Sequence, residues 1–325
     1  MDAMPCVSPH RLFPPHPLCV LGPPHPQAYS RTLCAQLTGP ADKSAIDTFL
    51  AKYKPSSNNA ALGPWIWVRL PGKDDGSEAA KPAEELTEEE LANLDFGAEG
   101  EALVDEMMDR LAEIKDTAPV RANKSRGIRS QKDLREETYA NFHGKVKALA
   151  QKYKILSGKW LFYPSSDHVD STWNKLVHAI ADPDGVLAKT GVVHCAKVAT
   201  LPNDRSSYVI CVYVDDSWDD EAVGDVFKVL VKDLSMTSQA YKPDALTILG
   251  IDSKHLSKVP VSLYKKTTFM TQKELDAAYE ATASKGGKKA KDKTLAEEVA
   301  SGAADGFDPV TDSEDEQPRK KKAKK

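Results

Sequence analysis

Residues Gly191–Val214 read GVVHCAKVATLPNDRSSYVICVYV, two β-type runs on either side of a short polar link. Pro202, Asn203 and Asp204 in the link supply turn chemistry, so the stretch predicts a β-hairpin. The second run is apolar on both faces, with Tyr208, Ile210 and Val212 on one and Val209, Cys211 and Tyr213 on the other. That pattern predicts a strand inside a sheet, not at its edge. His194 and Cys195 are neighbours in the first run, and regular alternation sends them to opposite faces. His194 then reads as a structural histidine, not as a base beside a thiol.

Working outward, DDSWDDEAVGDVFKVLVKDL predicts a helix with Val223, Val226, Phe227, Leu230 and Leu234 on one side. Asp215, Asp216, Asp219 and Asp220 crowd its start. Capping and the helix dipole favour acidic residues there; a metal site is the alternative. DALTILGI and VPVSLY read as two more strands. On the N-terminal side, GKWLFYP is a strand ended by Pro164. Ser166 and Asp167 are suitable N-caps for a helix carrying Val169, Trp173, Leu176, Val177 and Ile180.

Farther upstream, residues 1–40 are rich in Pro and His without an apolar period and read as disordered. Order is expected from about Asp42, with Ala45, Ile46, Phe49, Leu50 and Tyr53 on one helical stripe. Trp65 and Trp67 flank Ile66 in a strand, so both indoles share a face. They are either packed against neighbours or a platform for stacking bases. Residues 74–156 form a helical insertion, acidic at first and then basic at Arg121, Lys124, Arg126 and Arg129. The charge reversal reads either as two solvated helices with complementary surfaces or as a phosphate contact. Residues 41–283 are thus expected to form one α+β domain: a curved, mainly antiparallel β-sheet with helices packed on one face.

Residues 284–325 read as a disordered charged tail. Arg319, Lys320, Lys321 and Lys322 resemble a nuclear localisation signal, which implies nucleus and cytoplasm. Ser313, followed by Glu314, Asp315 and Glu316, resembles an acidic-directed phosphorylation site. The chain has no run of eighteen apolar residues and no predicted membrane partner. Its five cysteines show no paired spacing, which predicts reduced thiols inside the cell. No phosphate-binding loop, nucleophile elbow or dinucleotide fingerprint is present. No Cys/His spacing suggests zinc. The expectation is a non-enzymatic protein with no cofactor and no metal.

The segments SGKWL, AKVAT, VICVYVDD and YKPDALTILGI together resemble the uncharacterised basophilic leukaemia-expressed protein family. That family resembles in fold the cap-binding translation initiation factor of the 4E type. The likeness implies a curved antiparallel sheet backed by long helices, and RNA or a nucleotide as ligand. Cap-binding factors enclose the methylated base between two tryptophans, where stacking and cation–π attraction combine. Residues 71–158 contain no Trp here, so the sandwich and its carboxylate are missing. Lys197 and Arg205 stand near the hairpin positions that would meet phosphates. The expectation is a protein binding RNA or a nucleotide through Lys197, Arg205, Arg126, Arg129, Trp65 and Trp67, without the methyl-cap sandwich. The alternative is an adaptor that kept the fold, lost the base pocket and binds a basic protein partner. Oligomeric state is not legible.

Overall fold

The computed structural model describes residues 35–57, 63–70, 88–203, 206–236 and 240–285. Arg205, Ser313 and the basic run Arg319–Lys322 lie outside these residues.

Six strands form one open sheet in the order β1-β2-β4-β5-β3-β6. They are β1 (Ala35–Thr38), β2 (Trp65–Arg69), β3 (Gly158–Phe162), β4 (Val193–Ala199), β5 (Ile210–Val214) and β6 (Ala240–Pro243). β4 and β5 are the expected antiparallel hairpin, and β5 is interior as its two apolar faces require. Every pairing is antiparallel except β1 with β2. The architecture is α+β, and the sheet is mixed.

One face of the sheet carries the main core. Ile66, Val68, Trp160, Phe162, Ala196, Val198, Ile210, Val212, Val214 and Tyr241 point there and are buried. Helices α1 (Lys43–Lys52), α4 (Ser166–Ala181) and α5 (Asp220–Lys232) supply the facing residues. The expected stripes hold: Ile46, Phe49 and Leu50 on α1, Trp173 and Leu176 on α4, Phe227 and Leu230 on α5 are all buried. Asp42 and Asp219 cap α1 and α5 by accepting from Ala45 N and Ala222 N.

The long helices α2 (Glu88–Thr117) and α3 (Gln131–Lys152) form a separate hairpin with its own apolar cluster. Phe96, Met107, Phe142 and Val146 meet Leu246, Ile251 and Val259 there. Gly100 makes this approach possible: a Cβ would lie 2.2 Å from Leu249 Cδ2. Ser130 and Asp133 close α3's start in a capping box. Surface pairs Lys152–Glu99 and Lys145–Glu106 tie the two helices together. The charge reversal across 74–156 therefore includes complementary helix surfaces.

Several expectations are corrected. β1 lies within the stretch read as disordered; four residues are too short to show a period, and parallel pairing with β2 holds them. DALTILGI is not a strand: Pro243 ends β6 and Asp244–Ile248 form the short helix α6. Pro243 takes the extended backbone of an N-cap, and Asp244 lies in the first turn. VPVSLY is irregular chain, attached to β6 by Leu263 N donating to Tyr241 O at 3.0 Å. α4 begins after Ser165, whose side chain makes no capping bond, rather than after Ser166 or Asp167. Two further helices, α7 (Lys266–Phe269) and α8 (Gln272–Lys285), close the C-terminal side.

Candidate ligand face on the open side of the sheet

The residues that alternate with the core point to the opposite face. Pairing register sets them in rows across the strands. One row reads Arg69, Cys195, Tyr213, Lys159 and Lys242 from β2 to β6. The next reads Trp67, Lys197, Cys211, Leu161 and Ala240. A third begins with Trp65 opposite Ala199. This face thus combines aromatic rings, cations and two thiols. Trp65 and Trp67 share it as expected, half-buried, with Ile66 turned into the core.

Trp67 lies beside Tyr213, ring centroids 6.2 Å apart and planes 22° from parallel. Lys197 Nζ sits 4.3 Å from the Trp65 centroid, 4.8 Å from Trp67 and 5.5 Å from Tyr213. Arg69 Cζ lies 4.4 Å from the Trp67 centroid. The Arg69 Nε is buried without a hydrogen-bond partner. Cations over indole faces are attracted by the ring quadrupole.

The two buried lysines of this face differ in one respect. Lys159, 9% exposed, is bound to Asp244 and lies 3.3 Å from Thr247 Oγ1. Ser157 Oγ donates to the second Asp244 oxygen at 2.6 Å. Burial works against the Lys159 charge, but Asp244 outweighs it and holds the ammonium above its usual pKa. Lys197, 7% exposed, has three rings about it, and among the described residues no carboxylate or hydrogen-bond acceptor. Burial pushes its pKa down and the Lys159 charge adds to that, while Cys211 and the more distant Asp244 partly oppose it. Neither Lys159 nor its Asp244 partner stands out in the sequence; they lie 85 residues apart, and only the folded sheet joins them.

A β-bulge between Val193 and Cys195 overturns the expected separation of His194 from Cys195. Val193 faces the helices, and so does Ala196, so the extra residue leaves both His194 and Cys195 on the open side. His194 Nδ1 donates to Asp215 Oδ1 at 2.7 Å, and its ring lies 5.8 Å from Tyr213. Burial opposes charge on the imidazole. The Asp215 carboxylate and the Cys195 sulfur outweigh it and raise the His194 pKa from 6.5 to about 10. The other carboxylates at this turn have separate partners: Asp216 accepts from Trp218 N, Asp219 caps α5, and Asp220 accepts from the Tyr264 hydroxyl. The acidic cluster is thus used in capping and local bonding. Among the described residues, no group of three or more metal-ligating side chains forms.

The other described site candidates, Arg126 and Arg129, are not on this face. Arg126 is exposed in a single 3₁₀ turn (Lys124–Arg126), and Arg129 pairs with Glu137 at 2.8 Å. Both precede α3, at the opposite end of that helix from the entry to β3. Trp218 packs in the helical-hairpin cluster, with Lys147 over its ring. The described helices include none long and apolar enough to cross a membrane.

The family profile for basophilic leukemia-expressed protein Bles03 matches residues 25–250. The chain belongs to the Bles03 family. The Bles03 match spans all six strands and helices α1 to α6, so both the core face and the cationic–aromatic face lie within the family region.

Proposed function

We propose that this Bles03-family chain is a non-catalytic binding protein whose open sheet face takes RNA or a nucleotide. Lys197 carries the reading: a nine-tenths buried ammonium with three aromatic rings about it and no ion-pair or hydrogen-bond partner among the described residues. Buried charges are costly unless paired. A ligand phosphate would provide the missing partner, and indole faces beside it suit a base. A likeness to the 4E-type initiation factors is part of the proposal. It is supported by an open, mainly antiparallel sheet backed on one side by helices, with the β4–β5 hairpin followed by an acid-capped helix.

The reading includes no methyl-cap sandwich. The cation between the rings is the chain's own Lys197, and a methylated base would have to displace it. Nuclear and cytoplasmic distribution belongs to the same proposal and rests on the Arg319–Lys322 run. The test is titration of the full chain with capped and uncapped RNA at several salt concentrations. Binding that weakens with salt, favours neither end strongly and falls on Lys197→Gln supports the reading. No binding at low salt overturns it.

An adaptor role is the second reading. Glu101, Asp105, Asp109 and Asp116 are exposed along the side of α2 away from Phe96, Met107 and Ile114. Such a stripe suits a basic protein partner. Charge-reversing Asp105 and Asp109 should then abolish partner binding and leave RNA titrations unchanged.

A further inference from the structure

The corner of the open face at Trp65 carries a narrower ligand than a strand of RNA. Trp65 stands opposite Ala199, and Ala199 N donates to Val209 O at 2.9 Å, which sets Val209 alongside. Ala199 and Val209 are small and half-exposed. Their side chains add apolar surface to the face that carries the Trp65 indole. The next row begins with Trp67 and Lys197, and Lys197 reaches back to within 4.3 Å of the Trp65 centroid. Trp67 is less open to a new ring, because Lys197, Arg69 and Tyr213 already flank it. Flat ring surface and one unpaired ammonium thus meet at a single corner.

Among the described residues, the charge count at this corner is low. Lys159 is neutralised by Asp244. Arg69 is four residues from Trp65 along β2, ~13 Å away, and lies over Trp67. Among the described residues, Lys197 is the cation that this corner offers. We propose that it binds one flat ring bearing one anionic group: a nucleoside monophosphate, free or as the 5′-phosphorylated end of an RNA. Trp65 takes the ring and Lys197 the phosphate. The inference rests on the nucleotide-binding reading above and sharpens it.

Tryptophan fluorescence of the full chain, titrated with adenosine, AMP and ATP, tests it. AMP should bind roughly tenfold or more tighter than adenosine, since a charge-assisted bond to a buried amine is added. ATP should gain little over AMP. AMP affinity should fall only modestly with salt, through screening of one charge pair. Lys197→Gln should bring AMP down to adenosine's level, with an unchanged circular dichroism spectrum. Uridine decamers with a 5′-phosphate and with a 5′-hydroxyl separate the two sources. A phosphate-dependent gain in the decamers equal to that in AMP points to RNA ends; a gain in AMP alone points to free mononucleotide. Adenosine and AMP binding alike would overturn the inference. So would a decamer that binds with a steep salt dependence regardless of its end, although RNA binding would then survive. Failure of AMP and both decamers would remove both readings.

Discussion

The two faces of one sheet are built from alternate residues of the same strands. On β2, Ile66 and Val68 are fully buried in the core, whereas Trp65, Trp67 and Arg69 are partly exposed on the other side. On β4, Ala196 and Val198 face the helices, and Cys195 and Lys197 do not. The helix-backed face is apolar and closed. The other face holds a small apolar cluster of thiols and rings, one paired lysine, and Lys197, a buried cation without an ion-pair partner among the described residues. Burial on the first face drives folding. Charge without a partner on the second works against it. The proposed ligand site rests on that difference, which can be broken or sharpened by substitution.

The largest effect belongs to the closed face. Trp173 is fully buried at the centre of the α4 stripe. Trp173→Ala should destabilise by roughly 3–5 kcal/mol through lost burial and an unfilled cavity. A small cavity lined by Leu50, Tyr53, Pro55 and Asp170 already adjoins that indole, so the site is not overpacked. Urea unfolding measures the loss. An unchanged midpoint would mean that the helix-backed face is not the core.

Next comes the paired lysine of the open face. Lys159→Met leaves the Asp244 carboxylate among buried neighbours with only Ser157 as a side-chain partner. Breaking a buried pair from one side costs about 3 kcal/mol. A neutral result would show that Asp244 is solvated and the pair unimportant.

The unpaired lysine should respond with the opposite sign. Burial pushes the Lys197 pKa down, so its charge costs the fold free energy at neutral pH. Lys197→Met keeps the stem's volume and removes the charge. We expect a gain of about 1–2 kcal/mol, with loss of the ring–cation contacts reducing it. A gain on removing the charge would fit a residue kept for binding at the expense of stability. Strong destabilisation by Lys197→Met would make the amine structural and undo the functional reading of this face.

Legibility from sequence divides along the same line. The closed face is readable because β3 to β5 are short β-prone runs bounded by turn residues, β5 apolar on both sides, and apolar residues recur near 3.6 in α1, α4 and α5. Both signals are local. β1 escapes such a reading because four residues carry no period. α6 passes for a strand because five residues suit either element, and only the Pro243–Asp244 entry decides for a helix. Lys197, Trp65 and Trp67 are visible as residue types, but their meeting depends on the β2–β4 register, set between segments more than 120 residues apart. The Lys159–Asp244 pair needs the β3–β6 register in the same way. The bulge at His194 has no signature in VVHCAKV, where simple alternation is the natural reading. Functional placement on this face is a long-range property of the sheet.

The smallest predicted effect concerns that bulge. His194 is charged in the fold up to about pH 10, held by Asp215 at 2.7 Å. In the unfolded chain it loses its proton near pH 6.5. A raised folded pKa gives stability that is fully present below pH 6.5 and lost as pH rises through 10. The side chains of His194 and Asp215 are 20% and 33% exposed, and solvent screening reduces the pair to ~1 kcal/mol. Lys197 titrates with the other sign, since its depressed pKa relieves a penalty as pH approaches 10.5. The two must be separated by subtraction. Urea midpoints of Lys197→Met should fall between pH 6.5 and 10, and those of the double variant with His194→Gln should be flatter across that window. If both variants gave the same slope, the His194–Asp215 pair would contribute nothing to folding. The bulge would then have to be explained by what it presents on the open face beside Cys195 and Tyr213.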